Sequence, residues 1–353
     1  MMYKNRNGKF QVNILNVRRA FAVAVSLLGA SVSTRGDMIY VANRNTNSVT
    51  VLNAMGVPSD FGTNGLNGPT GLAFDHGGNL YVSSSGNHAI EVFTRDGVGR
   101  VFATTGTNVP NGLAFDASGN LYTAFNSNNS IEKFAPDGTG TTFAHTGASV
   151  PFNLAFDAAG NLYASYLDNK QIEKFAPNGA GSLFVNTSSN PHGMAFDGAG
   201  NLYVTYPYIN AVEKFTPKGV GTVFASSGLN HPENVAFDSL GNLYVACTGD
   251  NSIQMVTPAG ATSLFADSGM NGPWFISIRP GLNVFVALTA VQLGPNMVLS
   301  WPTSAVGYKL QTESSLQSMT NWVDVTNGAV AVGSQFNVTN SLDGPGRFFR
   351  LMR

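Results

Sequence analysis

The sequence predicts an all-β protein, a six-bladed β-propeller with a split closing blade, followed by a small C-terminal β-sandwich-like module. Three observations carry this. The stretch Pro110-Asn111-Gly112-Leu113-Ala114-Phe115-Asp116-Ala117-Ser118-Gly119-Asn120-Leu121-Tyr122 has counterparts starting at Pro69, Pro151, Pro191 and Pro232, and a degraded one at Pro273. The copies lie 40 or 41 residues apart, a period that points to solenoids or propellers. Each unit holds four short β-prone runs and none with helical periodicity.

The chain begins with Lys4, Arg6, Lys9, Arg18 and Arg19, then an apolar run over 20–30, then Ser31-Val32-Ser33. A basic head, a short apolar core and small residues make residues 1–35 a signal peptide. The core is too short to span a bilayer, so no transmembrane segment is expected in the mature chain. The expected location is secreted, periplasmic or on the surface of a bacterial cell.

The propeller is expected over 36–289. In the unit starting at Pro110, Leu113-Ala114-Phe115 is the first strand and Asp116-Ala117-Ser118-Gly119 a turn with Asp first and Gly fourth. Asn120-Leu121-Tyr122-Thr123 is the second strand. Ser130-Ile131-Glu132-Lys133-Phe134 alternates as a third strand should. Pro136-Asp137-Gly138 is turn chemistry, and Thr141-Thr142-Phe143-Ala144 is the fourth strand. Five units are complete. The sixth takes its inner strand from 274–278 and its outer strands from 38–41, 48–52 and a run near Phe61, which closes the ring without exposed edges. Both 38–41 and 283–286 suit its second strand, and a seventh, incomplete blade is the alternative. Residues 290–296 read as a linker. The strands of 297–353, such as Met297-Val298-Leu299-Ser300-Trp301 and Arg347-Phe348-Phe349-Arg350-Leu351, form the C-terminal module.

Charged residues make up 11% of the chain and the net charge is −1, which speaks against a nucleic-acid partner. One cysteine, Cys247, leaves no intrachain disulfide framework. The protein is expected to be a monomer.

Strand direction alternates within a blade, so the Asp–Gly turns share one face, and the loops before strand one and after strand two share the other. The turns barely vary, with Asp75, Asp116, Asp157, Asp197 and Asp238 in place. A need common to every blade is structural, and these aspartates are assigned to the turns. The copies differ on the other face. After the repeat Pro come Thr70, Asn111, Phe152, His192, Glu233 and Trp274, then Gly71, Gly112, Asn153, Gly193, Asn234 and Phe275. These positions are expected to ring the channel mouth. Oxygen ligands there suit a divalent cation, calcium first, held by Asn111, Asn153, Glu233 and Asn234. His192 and Glu233 are the candidate catalytic residues, as general bases. Phe125, Tyr166, Tyr206 and Trp274 are the candidate ligand-binding residues, an aromatic arc suited to a sugar ring or a peptide side chain.

The pattern P-x-G-L-A-F-D-x-x-G-N-L-Y-V resembles NHL repeats. It is similar to the SMP-30/gluconolactonase/LRE-like group and, more distantly, to streptogramin lyases, over roughly residues 36–288. The lactonase resemblance implies a metal ligand at Asn111 of Pro110-Asn111-Gly112. The family's Asp and early-blade Glu fall on Pro151-Phe152-Asn153 and Pro69-Thr70-Gly71, where this sequence departs from the pattern. Pro191-His192-Gly193 resembles the Pro-His-Gly segments of the lyases. The expected function is binding of a glycan, peptide or small molecule at the variable face. The alternative is an exported metal-dependent hydrolase or lyase acting at the same face.

Overall fold

The computed structural model describes residues 37–61, 65–147 and 149–279, and outside these ranges only the strands named below. Five antiparallel four-stranded sheets follow one another at 69–104, 110–145, 151–186, 194–225 and 232–266, each with its strands in sequence order. The sixth sheet runs Pro273–Arg279, Met38–Asn43, Ser48–Leu52, Pro58–Asp60. We number the blades 1 to 6 in that order. The split blade is as the sequence predicts, with Ile276 opposite Val41 across the join. The run 38–43 takes the contested second-strand slot, and 283–286 lies outside the described residues.

The repeat residues explain the ring. In blade 2 the pairing sets Leu113 opposite Thr123, Ala114 opposite Tyr122 and Phe115 opposite Leu121. Tyr122 meets Phe143 of its own outer strand edge-on at 5.0 Å and Phe156 of the next inner strand at 5.1 Å. Tyr81, Tyr163 and Tyr203 repeat this double contact. Tyr40 does so across the closing joint, against Phe61 and Phe74. Each such aromatic pair is worth about 0.5–1.5 kcal/mol beyond its burial, so one tyrosine per blade staples each of these joints. Second-strand hydroxyls add a polar stitch. Ser83 Oγ donates to Asn111 O at 2.6 Å, Ser165 Oγ to His192 O at 2.7 Å and Thr205 Oγ1 to Glu233 O at 2.9 Å.

The aspartates hold the turns. Asp116 Oδ1 accepts from the backbone N–H groups of Ser118 and Asn120, and its Oδ2 accepts from Asn120 Nδ2 at 2.8 Å. Gly119 closes the turn at φ 81°, where a side chain would be strained. Partial burial disfavours the Asp116 charge, but the bonds from Asn120 and Ser118 and the nearby Lys133 outweigh it and hold the carboxyl below its usual value. The strand Pro110–Phe115 then separates Asn111 from this turn, at about 3.3 Å per residue.

The chain divides into two compact units, 37–280 and the remainder. In the second, Met2–Lys4 pairs with Phe10–Val12. A four-stranded sheet runs Thr289–Leu293, Asn296–Pro302, Gln335–Ser341, Val330–Val332, and a three-stranded one Val323–Asp324, Lys309–Glu313, Phe348–Met352. The expected linker 290–296 is therefore corrected. Residues 290–293 and 296 belong to two antiparallel strands, with Leu293 opposite Asn296. The apolar run 20–30 lies outside the described residues. No helix among the described residues is long and apolar enough to cross a membrane.

Candidate functional site

At the face opposite the Asp–Gly turns, each inner strand enters its blade through a Pro and a break in register. The pairing shifts between Pro110 and Leu113, between Pro151 and Leu154 and between Pro232 and Asn234. Such bulges re-aim side chains. In blade 4 the strand begins only at Met194, and Gly193 N donates to Glu233 O of the next blade at 2.9 Å. A Cβ on Gly193 would stand 2.7 Å from both Glu233 O and Asn234 Nδ2. Glycine there lets two blade mouths approach closely.

That approach joins His192 to Glu233. The Glu233 side chain is fully buried, with Oε2 2.7 Å from His192 Nδ1 and Oε1 2.9 Å from His231 Nδ1. A carboxylate accepts from both imidazole N–H groups, which leaves Nε2 of each neutral ring as a lone-pair atom. His192 is almost wholly buried and its Nε2 has no partner, whereas 41% of the His231 side chain is exposed. Thr248 Oγ1 lies 3.0 Å from His231 Nδ1 and donates to His231 O at 3.2 Å. The result is one buried carboxylate orienting two imidazoles, one in the interior and one facing outward.

His231 holds an unusual backbone. Its φ is 53°, and its counterparts before the Pro of blades 1 and 6 are glycines, Gly68 at 59° and Gly272 at 65°. An Asn side chain of the preceding blade accepts each N–H: Asn47 for Gly68, Asn210 for His231 and Asn251 for Gly272. Left-handed backbone at a non-glycine residue costs about 1 kcal/mol or more. The position keeps an imidazole where the joints of blades 1 and 6 use glycine.

Rings extend the site across the mouth. Phe152 of blade 3 lies against His192 in a tilted contact at 4.7 Å and meets Trp274 and Phe275 of blade 6, opposite in the ring, at 6.2 and 5.6 Å. Tyr208, 66% exposed, stands edge-on to His192 and His231, each at 5.8 Å. The Arg44 guanidinium lies over Trp274 at 4.6 Å.

The sequence-predicted residues divide into four groups. His192 and Glu233 come together, in direct contact. Trp274 lies half-buried at the mouth. Phe125, Tyr166 and Tyr206 are corrected, because all three are fully buried and present no surface to a ligand. Period-2 alternation turns the last residue of strand two into the packing between blades, where each joins a core cluster. Tyr166 Oη donates to Glu173 Oε2 at 2.7 Å, and burial pushes its phenol well up from the ordinary value.

The expected calcium ligands are also dispersed. Both Glu233 oxygens are taken by imidazoles, and Asn234 Oδ1 accepts from Ile276 N at 3.3 Å. Asn153 and Asn234 line an axial cavity of about 300 Å³ that runs down to Phe196, Phe237 and Ile278. Asn111 Nδ2 donates to Asn126 Oδ1, leaving Asn111 Oδ1 buried without a partner. Calcium takes six to eight oxygens, and this donor set does not fit it. Among the described residues no cluster of three His, Cys, Asp or Glu is placed to hold a metal.

His231, Thr248, Arg44 and Phe152 are the site residues that the sequence reading did not assign. The available signal was local: a histidine in the joint before Pro232, where other units have Gly68, Val109, Val150, Asn190 and Gly272.

Comparison with known proteins agrees with this architecture. The family model for the SMP-30/Gluconolactonase/LRE-like region matches residues 36–167. The chain is thus a six-bladed propeller with SMP-30/gluconolactonase-like sequence over its first blades, as its repeats led one to expect. No curated protein matches the chain in sequence. Among solved structures it is similar to a chain of a nidogen/laminin complex (TM-score 0.63, 20% identity, covering 70% of this chain and 99% of the other). It is similar to a catalytically inactive virginiamycin B lyase variant from Staphylococcus aureus with quinupristin (0.54, 15%, 78% and 94%). It is also similar to a gluconolactonase from Xanthomonas campestris (0.50, 17%, 74% and 91%). At these identities the likeness is one of fold, and fold alone does not assign an activity.

Proposed function

We propose that the propeller binds a small organic ligand at the face carrying His192, His231 and Glu233, and that His231 acts there as a general base. The observation that carries this is the buried Glu233 carboxylate between two imidazole Nδ1 atoms, with one imidazole exposed. In this arrangement Glu233 fixes the tautomer of His231 and aims its Nε2 outward. It also stabilises the imidazolium that forms when a proton is taken up, as in other oriented base pairs. His192 supports the carboxylate from the buried side, and Phe152 keeps water from it. The reaction classes that need one oriented base and no bound cation are elimination by proton abstraction and base-assisted opening of an ester or lactone. The neighbouring folds include a virginiamycin B lyase and a gluconolactonase, and both classes of ligand are therefore worth offering. Export through residues 1–35 is part of the same proposal and rests on the sequence alone.

A second reading is a binding module without turnover, favoured by the buried state of most ring residues. One experiment separates the two. Purified protein, His231→Ala and Asp116→Ala are incubated with a panel of sugar lactones and cyclic depsipeptide lactones, and products are followed by mass spectrometry. The expected result is turnover of one class, lost by about 10²–10⁴-fold in His231→Ala and kept in Asp116→Ala, whose carboxylate is at the other face. Binding without turnover in all three proteins would support the module instead.

A further inference from the structure

We infer that Arg44 is the anion-recognition residue of this face, and that its ligand carries a carboxylate beside a flat apolar body. This deepens the reading above and rests on it. The strand Met38–Asn43 ends at the mouth, and Arg44 is the next residue, as Thr248 follows Cys247 in blade 5. Thr248 touches His231. Arg44 occupies the matching place one blade on, with its N–H bonded to Gly272 O at 3.1 Å. The cation and the proposed base therefore belong to consecutive joints of one ring.

The Arg44 side chain is exposed and, among the described residues, forms no ion pair. Its guanidinium stacks on the half-buried Trp274 instead. Stacking on an indole fixes the plane of the fork and leaves the edge N–H groups free, the geometry that receives a carboxylate in two parallel bonds. Glu233 is fully buried under two imidazoles, and the loop carboxylates Asp250 and Asp168 accept from Ser252 Oγ and Val150 N; none of the three forms an ion pair with Arg44. Between the cation and His231 lie the rings of Trp274, Phe152, His192 and Tyr208, each in contact with the next. Phe152 and His192 are buried beneath that path, so the rings a ligand meets are the half-buried Trp274 beside Arg44 and the exposed Tyr208 beside His231, which select a flat apolar body. A cationic ligand is disfavoured at the Arg44 end.

Equilibrium binding tests this without any turnover. The probes are 3-phenylpropanoate and its neutral amide, titrated into the full chain with tryptophan fluorescence as the signal and Trp274→Phe to assign it. Trp301 and Trp322, outside the propeller unit, supply the constant background. The expected result is a Trp274-dependent change with the carboxylate bound about tenfold more tightly than the amide or better. Arg44→Gln should erase the preference, and Arg44→Lys should keep part of it. Equal affinities for acid and amide, or a preference that survives Arg44→Gln, would overturn the inference while leaving ligand binding at the face intact. No Trp274-dependent change with either probe would overturn it together with the binding reading.

Discussion

At the scale of single residues, His231 is where backbone and chemistry pull in different directions. Its left-handed φ suits glycine, yet its imidazole binds Glu233. His231→Gly relieves the backbone and loses the hydrogen bond, two effects of about 1 kcal/mol each and opposite sign. His231→Val loses the same bond and puts a β-branched residue where such residues are outliers. Urea unfolding should therefore find the Val variant less stable than the Gly variant by about 1–2 kcal/mol. Equal stabilities would show that the joint does not enforce the left-handed backbone. The contact between His192 and Glu233 was legible in the sequence, since the two lie 41 residues apart, one blade step, at neighbouring ring positions. The part played by His231 was not. Its place before the repeat Pro has no fixed residue type, and only the turn geometry swings its ring onto the carboxylate.

At the scale of the strand, the repeat reads well wherever one residue type meets one need in every blade. Tyr122, Phe115 and Phe143 recur because five joints have the same gap to fill, with Ile278 in place of the Phe at the sixth, and Asp116 recurs because the turns of blades 1 to 5 have the same N–H groups. Reading failed at Phe125, Tyr166 and Tyr206, because variation among copies also arises inside the packing. There each ring is fitted to its neighbour on strand three. Tyr166 donates to Glu173. The corresponding pair in blade 2 is Phe125 and Glu132, in which the ring has no hydroxyl to offer. Burial raises the Glu132 carboxyl above its ordinary value. An acid whose folded value is raised holds its proton more tightly when folded, so its ionisation costs stability. That cost is absent below the unfolded value of about 4.3 and develops as the pH rises through the folded one. Glu132→Gln should thus raise the melting temperature at pH 7 and leave it nearly unchanged at pH 3. Phe125→Tyr should give a gain at pH 7 by supplying the missing donor. A melting temperature lowered at pH 7 by Glu132→Gln would mean that the carboxylate has a partner of its own.

At the scale of the whole propeller, closure depends on one strand from the N-terminal side. Met38–Asn43 lies between Pro273–Arg279 and Ser48–Leu52, and Val41 is fully buried within it. Proline in a central strand removes a ladder bond. Val41→Pro should destabilise the entire unit 37–280 by about 2–4 kcal/mol, in one transition seen alike by circular dichroism and fluorescence. Two separated transitions, with blades 2 to 4 melting as before, would show that the ring tolerates an open joint. The two ends of the propeller axis also differ in kind. Phe152 reaches over the axis to the rings of the opposite blade, and the cavity lined by Asn153 and Asn234 lies beneath it. The axis is therefore stoppered rather than tubular. If His231 is the base proposed above, its ligand would arrive and depart by the one face, with the cavity behind the Phe152 stopper.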